Sequence, residues 1–233
     1  MLVLVDIDGT LLRGSAAHRA ALVHGVAEGF GVELDVEALD RILVPGSTDT
    51  RIARELLELV GAPEADGPIH LERFAPLAIE HFARNGPEGL EDQVIPGARQ
   101  GLEAMRERGD TLALLTGNIE EIAHEKMARA GLGGFFARGQ GAFGSDEEDR
   151  NALVPVARRH ASVNGEMWPA DQTVVVGDTP RDIACARAGG ARAIAVTTGP
   201  YDADELAEAD AVVGSLHDAS IQIAAWHASD PAD

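Results

Sequence analysis

Hydrophobic and polar positions along the chain predict strands that alternate with helices. Short apolar runs end in glycine, aspartate or threonine, and segments with helical spacing of apolar residues follow them. The predicted strands are Leu2 to Val5, Thr111 to Leu115, Thr173 to Val176, Ala193 to Val196 and Ala211 to Val213, with a weak one near Phe136 to Gln140. Two predicted crossover helices, over 98–108 and 119–130, end at glycines. This order is typical of an α/β fold with a parallel sheet.

The stretch from about residue 14 to residue 92 breaks the alternation, because it contains helical patterns without convincing strands. Helices are predicted over 18–30, 36–42, 50–59 and 70–85, with glycine-rich and proline-rich turns around them. We therefore predict an α-helical cap domain over 14–92. It would be inserted into a Rossmann-like core of residues 1–13 and 93–233.

Composition and charge restrict the partners and the compartment. The net charge of −20 argues against nucleic acid or an anionic membrane as partner. No apolar run approaches the roughly 20 residues of a membrane span or forms a signal-peptide core. Because Cys185 is the single cysteine, an internal disulfide is excluded, and we expect a cytoplasmic protein, monomeric or homodimeric.

Two aspartates directly follow the first buried strand, in the segment Val5-Asp6-Ile7-Asp8-Gly9. Strand alternation would direct Asp6 and Asp8 to the same side, and Gly9 lets the chain turn sharply beyond them. Parallel-sheet enzymes bind ligands at the carboxyl ends of their strands. The alternatives are a solvated acidic loop or structural caps.

The strand at 111–115 ends in Thr116-Gly117-Asn118, immediately before a helix. A hydroxyl and exposed backbone amides at a helix N-terminus form an anion site, although the same tripeptide also serves as a plain helix-capping turn. A third strand ends in Gly177-Asp178, with Asp182 about one helical turn further on. Such oxygen ligands suit a hard divalent cation. The alternative for Asp182 is a favourable charge at a helix N-terminus.

In order along the chain, Asp6-x-Asp8-Gly9-Thr10, Thr116 and Gly177-Asp178-x-x-x-Asp182 resemble motifs one, two and four of the haloacid dehalogenase superfamily. The inserted segment matches the place where many members carry an α-helical cap, as in those similar to phosphoglycolate phosphatase. The resemblance implies that the first strand lies between the strands bearing the second and fourth motifs.

The family's third motif is a lysine, commonly on a loop just before the strand of the fourth motif, and this chain has none there. Lys126 is the only lysine among nineteen basic residues and lies in the helix after Thr116. Its side chain would have to reach back toward a phosphate over about two turns of helix. The alternative is a surface lysine.

The resemblance implies a magnesium-dependent phosphatase that acts on a small phosphorylated metabolite. Mg²⁺ would be held by Asp6, Asp178 and the backbone carbonyl of Asp8, with Asp182 orienting metal-bound water. Asp6 would attack phosphorus to give an aspartyl phosphate, and Asp8 would act as general acid and then general base. The phosphoryl oxygens would contact the predicted phosphate-binding residues, which are Thr116, Gly117, Asn118 and Lys126.

Asp8 favours phosphoryl transfer within the family, since haloacid dehalogenases lack this second aspartate. A phosphomutase carries the same motifs and is the nearest alternative. A non-enzymatic phosphoacceptor module similar to a response-regulator receiver is a further one, although the length and motif order argue against it.

Three residues of the predicted cap resemble the substrate-facing loop of phosphoglycolate-phosphatase-like members, and they are Gly46, Thr48 and Arg51. Arg51 would meet a substrate carboxylate or a second phosphate. The alternative is a helix N-cap in this loop. His18, near the hinge, is expected to serve packing, and Asp146 is a further candidate for the rim of the site.

Overall fold

The computed structural model describes residues 1–162 and 164–229, and its centre is a five-stranded parallel sheet. The strands are β1 (Leu2–Val5), β2 (Thr111–Leu114), β3 (Thr173–Gly177), β4 (Arg192–Val196) and β5 (Ala211–Val213). Their order in the sheet is β2-β1-β3-β4-β5, and every neighbouring pair is parallel. This confirms the predicted α/β fold, with the first strand between the two strands expected beside it.

Both faces of the sheet are covered, which explains the continuous apolar character of the strands. Alternate residues of β1 enter different cores: Val3 and Val5 belong to one buried cluster, and Leu2 and Leu4 belong to another. Because the strands are parallel, their carboxyl ends lie along one edge of the sheet. The motif residues that follow β1, β2 and β3 therefore share that edge.

The weak strand predicted near 136–140 is wrong. The segment follows a short 3₁₀ helix (Gly133–Phe135) and runs through turns, and the nearest β contact is an isolated bridge between Leu115 and Ala142. Phe136 is buried in the core, but Gly139 has a φ of +77°, which turns the chain out of an extended path.

The helices of the inserted segment are α1 (Ala16–Phe30), α2 (Asp49–Leu59) and α3 (Leu71–Asn85). The predicted helix over 36–42 is a 3₁₀ helix, Val36–Arg41. The later helices are α4 (Ala98–Arg108), α5 (Glu120–Arg129), α6 (Leu153–His160), α7 (Pro180–Ala188) and α8 (Leu216–Ser229). Among the described residues, no helix combines the length and apolar content that a bilayer crossing needs.

The inserted helices have a hydrophobic cluster of their own, and α5 of the sheet region also contributes to it. Gly25 lets α1 approach α3 closely, because a methyl group there would lie 2.7 Å from the carbonyl oxygen of Phe74. Ile119 and Ile122, at the start of α5, complete this cluster. The helical segment therefore packs directly against the chain that follows β2.

Candidate active site at the carboxyl edge of the sheet

Three carboxylates converge where β1 and β3 end. One oxygen from each of Asp6, Asp178 and Asp182 lies within 4.8 Å of the others, and all three residues are buried. Asp6 is aligned by its backbone N–H, which donates to the carbonyl of Val176 at 3.0 Å. A methyl group at Gly199 would lie 1.7 Å from Asp178, so glycine permits the close approach of that loop.

Burial makes this cluster costly to ionise. Burial raises the pKa of Asp6 to about 7, against the opposing charge of Arg150. Burial, followed by the charges of Asp6 and Asp182, raises the pKa of Asp178 to about 8. The positive charge around these two carboxylates is therefore too small to offset the effect of burial on their pKa values.

The residues present fit Mg²⁺. Their donors are carboxylate oxygens on rigid strand ends and a helix start, which is the donor class that a hard dication prefers. The pKa values of Asp6 and Asp178 stay raised although Arg150 contacts Asp6, so the cluster can accept a further cation. The predicted ligands Asp6 and Asp178 lie together, whereas the side chain of Asp8 points to a different partner.

Arg150 is a residue of the site that the sequence analysis did not identify. Its guanidinium donates to Asp6 Oδ1 at 3.0 Å and contacts Asp182, and the side chain is 7% exposed. It is the first residue of a short 3₁₀ helix, Arg150–Ala152, which leads directly into α6, the helix before β3. It is one of eighteen arginines, and no motif in the sequence distinguishes it from the others.

Asp182 also makes the helix-terminal contacts considered as its alternative role. Its carboxylate accepts from the backbone N–H of Thr179 at 3.0 Å and from the Thr179 hydroxyl at 2.7 Å, which forms a capping box at the start of α7. The same side chain thus caps the helix and belongs to the carboxylate cluster.

Lys126 is wholly buried and is bonded to Asp8. Its Nζ donates to Asp8 Oδ2 at 2.7 Å and Oδ1 at 3.0 Å, and to Asn118 Oδ1 at 2.7 Å. Asn118 also donates from Nδ2 to Asp8 Oδ2 at 3.1 Å. Burial works to raise the pKa of Asp8, but Lys126, His18 and Asn118 outweigh it and hold the pKa below its ordinary value. Lys126 is therefore not a surface lysine.

The carboxyl edge opens into a cavity of about 570 Å³. The core residues that line it include Asp6, Asp8, Thr116, Gly117, Asn118, Arg150 and Asp178. The inserted helical segment contributes His18, Gly46, Ser47 and Asp49 to the same cavity. The side chains at positions 6, 116 and 178 thus face one cavity, as the sequence hypothesis requires.

The three candidate substrate-binding residues divide between two places. Gly46 lines this cavity and also a second one of about 430 Å³ beside it, whereas Thr48 and Arg51 line only the second. Thr48 is the N-cap of α2 and accepts from the backbone N–H of Arg51 at 3.1 Å. The Arg51 guanidinium donates to Glu55 at 2.8 Å. For these two residues the geometry favours the capping alternative.

Two other side chains differ in whether they reach the site. Asp146 accepts from the backbone N–H of Phe143 at 2.9 Å and does not line the cavity. His18, which was expected to serve packing, lies 3.1 Å from Lys126 through its Nδ1 and 2.9 Å from Asp49 Oδ2 through its Nε2.

Comparison with protein families and known proteins agrees with this geometry. Residues 3–187 match the family model for haloacid dehalogenase-like hydrolases. The chain is 31% identical over 217 residues to a phosphoglycolate phosphatase of Chromobacterium violaceum, covering 92% of both chains. It is 28% identical over 222 residues to a phosphoglycolate phosphatase of Nitrosospira multiformis, covering 94% of this chain and 93% of that one.

Solved structures show the same fold at low sequence identity. CbbY from Rhodobacter sphaeroides, in complex with phosphate, has a TM-score of 0.64 and 19% identity, covering 95% of this chain and 98% of that one. A β-phosphoglucomutase from Clostridium difficile has a TM-score of 0.66 and 13% identity, covering 97% and 95% respectively.

Proposed function

The chain belongs to the haloacid dehalogenase-like hydrolase family and is a phosphatase, and we propose that it hydrolyses a small phosphate monoester through phosphorylated Asp6. The observation that carries the proposal is that four motif residues line one cavity, namely Asp6, Asp8, Thr116 and Asp178. Two buried cations bond to these carboxylates, Lys126 to Asp8 and Arg150 to Asp6. The two relatives named phosphoglycolate phosphatase support a small phosphorylated metabolite as the substrate.

Asp6 is the proposed nucleophile. It directly follows β1, is 6% exposed and lines the cavity, where a phosphate group can reach its carboxylate. Attack by Oδ on phosphorus breaks the bond between phosphorus and the ester oxygen, giving an acyl phosphate and the departing alcohol. Water then attacks the acyl phosphate, which regenerates Asp6 and releases inorganic phosphate.

Asp8 is the proposed acid and base. The lowered pKa of Asp8 keeps its carboxylate ionised in the free protein. An ionised carboxylate can remove a proton from the attacking water in the second step. The leaving oxygen needs a proton in the first step. Since the second pKa of a phosphate group is about 6, a monoanionic substrate brings that proton, and Asp8 relays it.

We propose that Asp6, Asp178 and the backbone carbonyl of Asp8 hold Mg²⁺, with Asp182 orienting metal-bound water. The bound ion supplies charge neutralisation between the carboxylates and the phosphate. Thr116, Gly117 and Asn118 are proposed to hold phosphoryl oxygens, and Lys126 and Arg150 to balance their charge. Residues 14–92 are proposed as the cap domain, which covers the leaving group and contributes Gly46 to its surroundings.

A phosphatase assay with matched variants tests the proposal. Wild-type protein should release phosphate from p-nitrophenyl phosphate and from 2-phosphoglycolate with Mg²⁺, and EDTA should stop turnover reversibly. Asp6→Asn should abolish turnover, whereas Asp171→Asn, at an exposed position just before β3, should leave it unchanged. Acid quenching followed by borohydride should convert phosphorylated Asp6 to homoserine, which mass spectrometry detects.

Two results would contradict the proposal. Full activity of Asp6→Asn would remove the nucleophile, and isomerisation of a sugar phosphate without release of phosphate would establish a phosphomutase. The likeness to a β-phosphoglucomutase shows the fold alone and does not favour that second outcome.

A further inference from the structure

We propose that Asp49 and His18, both from the inserted helical segment, are positioning residues that aim the ammonium of Lys126 at Asp8. The inference rests on the proposed function, because it concerns how the acid and base of that reaction is held. It assigns a role in proton transfer to two residues that the four sequence motifs do not include.

The hydrogen bonds of Lys126 leave no donor unused. An ammonium has three N–H donors and no acceptor. Its three directions lead to Asp8, to Asn118 Oδ1 at 2.7 Å and to His18 Nδ1 at 3.1 Å. Because the ammonium is fully buried, loss of any one acceptor would leave an unpaired donor without access to water. Three acceptors on three separate segments therefore fix its orientation.

The tautomer of His18 follows from this arrangement. Since Lys126 can only donate, His18 Nδ1 must accept, and the ring proton resides on Nε2. That proton is donated to Asp49 Oδ2 at 2.9 Å. The side chains of His18 and Asp49 are 10% and 2% exposed, so water does not compete for these bonds. Asp49 thereby holds the imidazole in the one tautomer that accepts from Lys126.

Asp49 also joins the helical segment to the proposed phosphate-binding loop. Its backbone N–H donates to the carbonyl of Gly117 at 2.7 Å, and its Oδ2 accepts from the backbone N–H of Ile119 at 2.8 Å. A methyl group at Gly117 would lie 2.0 Å from the carbonyl oxygen of Ser47, so the two loops are in direct contact. The path from Asp49 to Asp8 is complete only while α2 is docked on this loop.

A comparison of leaving groups separates positioning of Asp8 from a purely structural role. Departure of an alkyl alcohol needs a proton, whereas p-nitrophenolate leaves without one. Variants that misplace Asp8 should therefore lose kcat/KM for alkyl phosphates by about tenfold or more, which is a part of the roughly 100-fold to 10,000-fold that general acid catalysis contributes. The loss with p-nitrophenyl phosphate should stay within about threefold. The alkyl substrate is whichever phosphorylated metabolite the wild type hydrolyses fastest.

Two variants of His18 test its two ring nitrogens, Nδ1 and Nε2, separately. The amide oxygen of His18→Asn can replace Nδ1 as acceptor for Lys126, whereas the amide of His18→Gln reaches only the position of Nε2. We expect His18→Gln to show the selective loss with the alkyl phosphate and His18→Asn to retain most activity. His70→Ala is the control, because the His70 side chain is 56% exposed and its one described partner is Glu72.

Variants at Asp49 complete the set. Asp49→Ala should show the same selective loss as His18→Gln, and Asp49→Asn should show less, because an amide oxygen can still accept from both His18 and Ile119. The combination of Asp49→Ala with His18→Gln should cost no more than either change alone, since both interrupt one path.

A measurement without turnover tests the same point if a variant fails to fold. Nitrogen chemical shifts of the imidazoles in metal-free wild type should show His18 protonated at Nε2, with its signals assigned by their absence in His18→Asn. Protonation at Nδ1 would overturn the inference, as would equal losses for alkyl and aryl phosphates. Turnover by Asp6→Asn would instead overturn the proposed function itself, so the two failures are distinguishable.

Discussion

The carboxylate cluster predicts an unusual dependence of stability on pH in the metal-free protein. The pKa of Asp6 is raised to about 7 and that of Asp178 to about 8 in the folded state, from a value of 3.8 without the fold. A raised pKa means that the folded state binds the proton more tightly than the unfolded state does. The resulting stabilisation is fully present below the unfolded pKa and is lost as the pH rises through the folded pKa.

The contribution of Asp178 to this loss of stability can be measured between pH 7 and pH 9. A group that keeps its proton only in the folded state costs about 1.4 kcal/mol of unfolding free energy per pH unit. With a folded pKa of about 8, Asp178 loses about 1.4 kcal/mol across the interval, and Asp6 adds a few tenths because most of its loss occurs below pH 7. The buried Cys185 thiol, whose pKa burial raises to about 12, lowers stability in the same direction.

Urea unfolding in EDTA, followed by tryptophan fluorescence at pH 7, 8 and 9, measures the loss. Asp178→Asn is the control, because it removes the carboxylate and leaves Cys185 and all histidines in place. We expect wild type to lose about 1.4 kcal/mol more than this variant. Saturating Mg²⁺ should abolish the difference in slope, since a bound dication keeps the carboxylates ionised. Parallel curves for wild type and Asp178→Asn in EDTA would refute the assignment of the raised pKa.

Two further substitutions test the cation of the cluster and the docking of the loops. Arg150→Met leaves Asp6 and its neighbouring carboxylate without their buried cation, and kcat/KM for p-nitrophenyl phosphate should fall by about 100-fold or more; a loss below tenfold would contradict a role at the site. Gly144→Ala places a methyl group 1.9 Å from the Gly117 carbonyl oxygen and should lower stability by about 1–3 kcal/mol in thermal unfolding. Gly134→Ala, with open space around it, is the control and should unfold like wild type.

The sheet could be predicted from the sequence because its strands are buried on both faces. Runs such as 2–5 and 174–176 are continuously apolar and stop abruptly before glycine or aspartate, so both their existence and their ends are evident. The segment near 136–140 has one buried aromatic residue, Phe136, and this local signal does not distinguish a strand from a turn.

The site was predicted only as far as it follows strand ends. Asp6, Thr116 and Asp178 come together because parallel strands end at one edge, which the order of elements already implies. Arg150 begins a short 3₁₀ helix before α6, and no periodicity locates that residue relative to β1. Its identity as a cation of the site depends on a fold of the chain that local patterns do not encode.

The role of His18 also depends on contacts between residues that are far apart in the sequence. It is 108 positions from Lys126 in sequence, and the two meet only because the fold brings α1 to α5, the helix that carries Lys126. A histidine on the buried face of a helix is compatible equally with packing and with hydrogen bonding. Only the third partner, Asp49, distinguishes these roles, because it determines which ring nitrogen carries the proton.

The charges of the site explain how a chain of net charge −20 can bind a phosphate. Once Asp6 and Asp178 are ionised, the four carboxylates of Asp6, Asp8, Asp178 and Asp182 outnumber the two cations bonded to them, Lys126 and Arg150. A phosphate dianion would be repelled from such a cavity, and one divalent cation restores balance. We therefore expect metal to bind before substrate. The apparent affinity for inorganic phosphate should then increase with Mg²⁺ concentration and should be negligible in EDTA, because substrate recognition depends on the same carboxylates that carry out the chemistry.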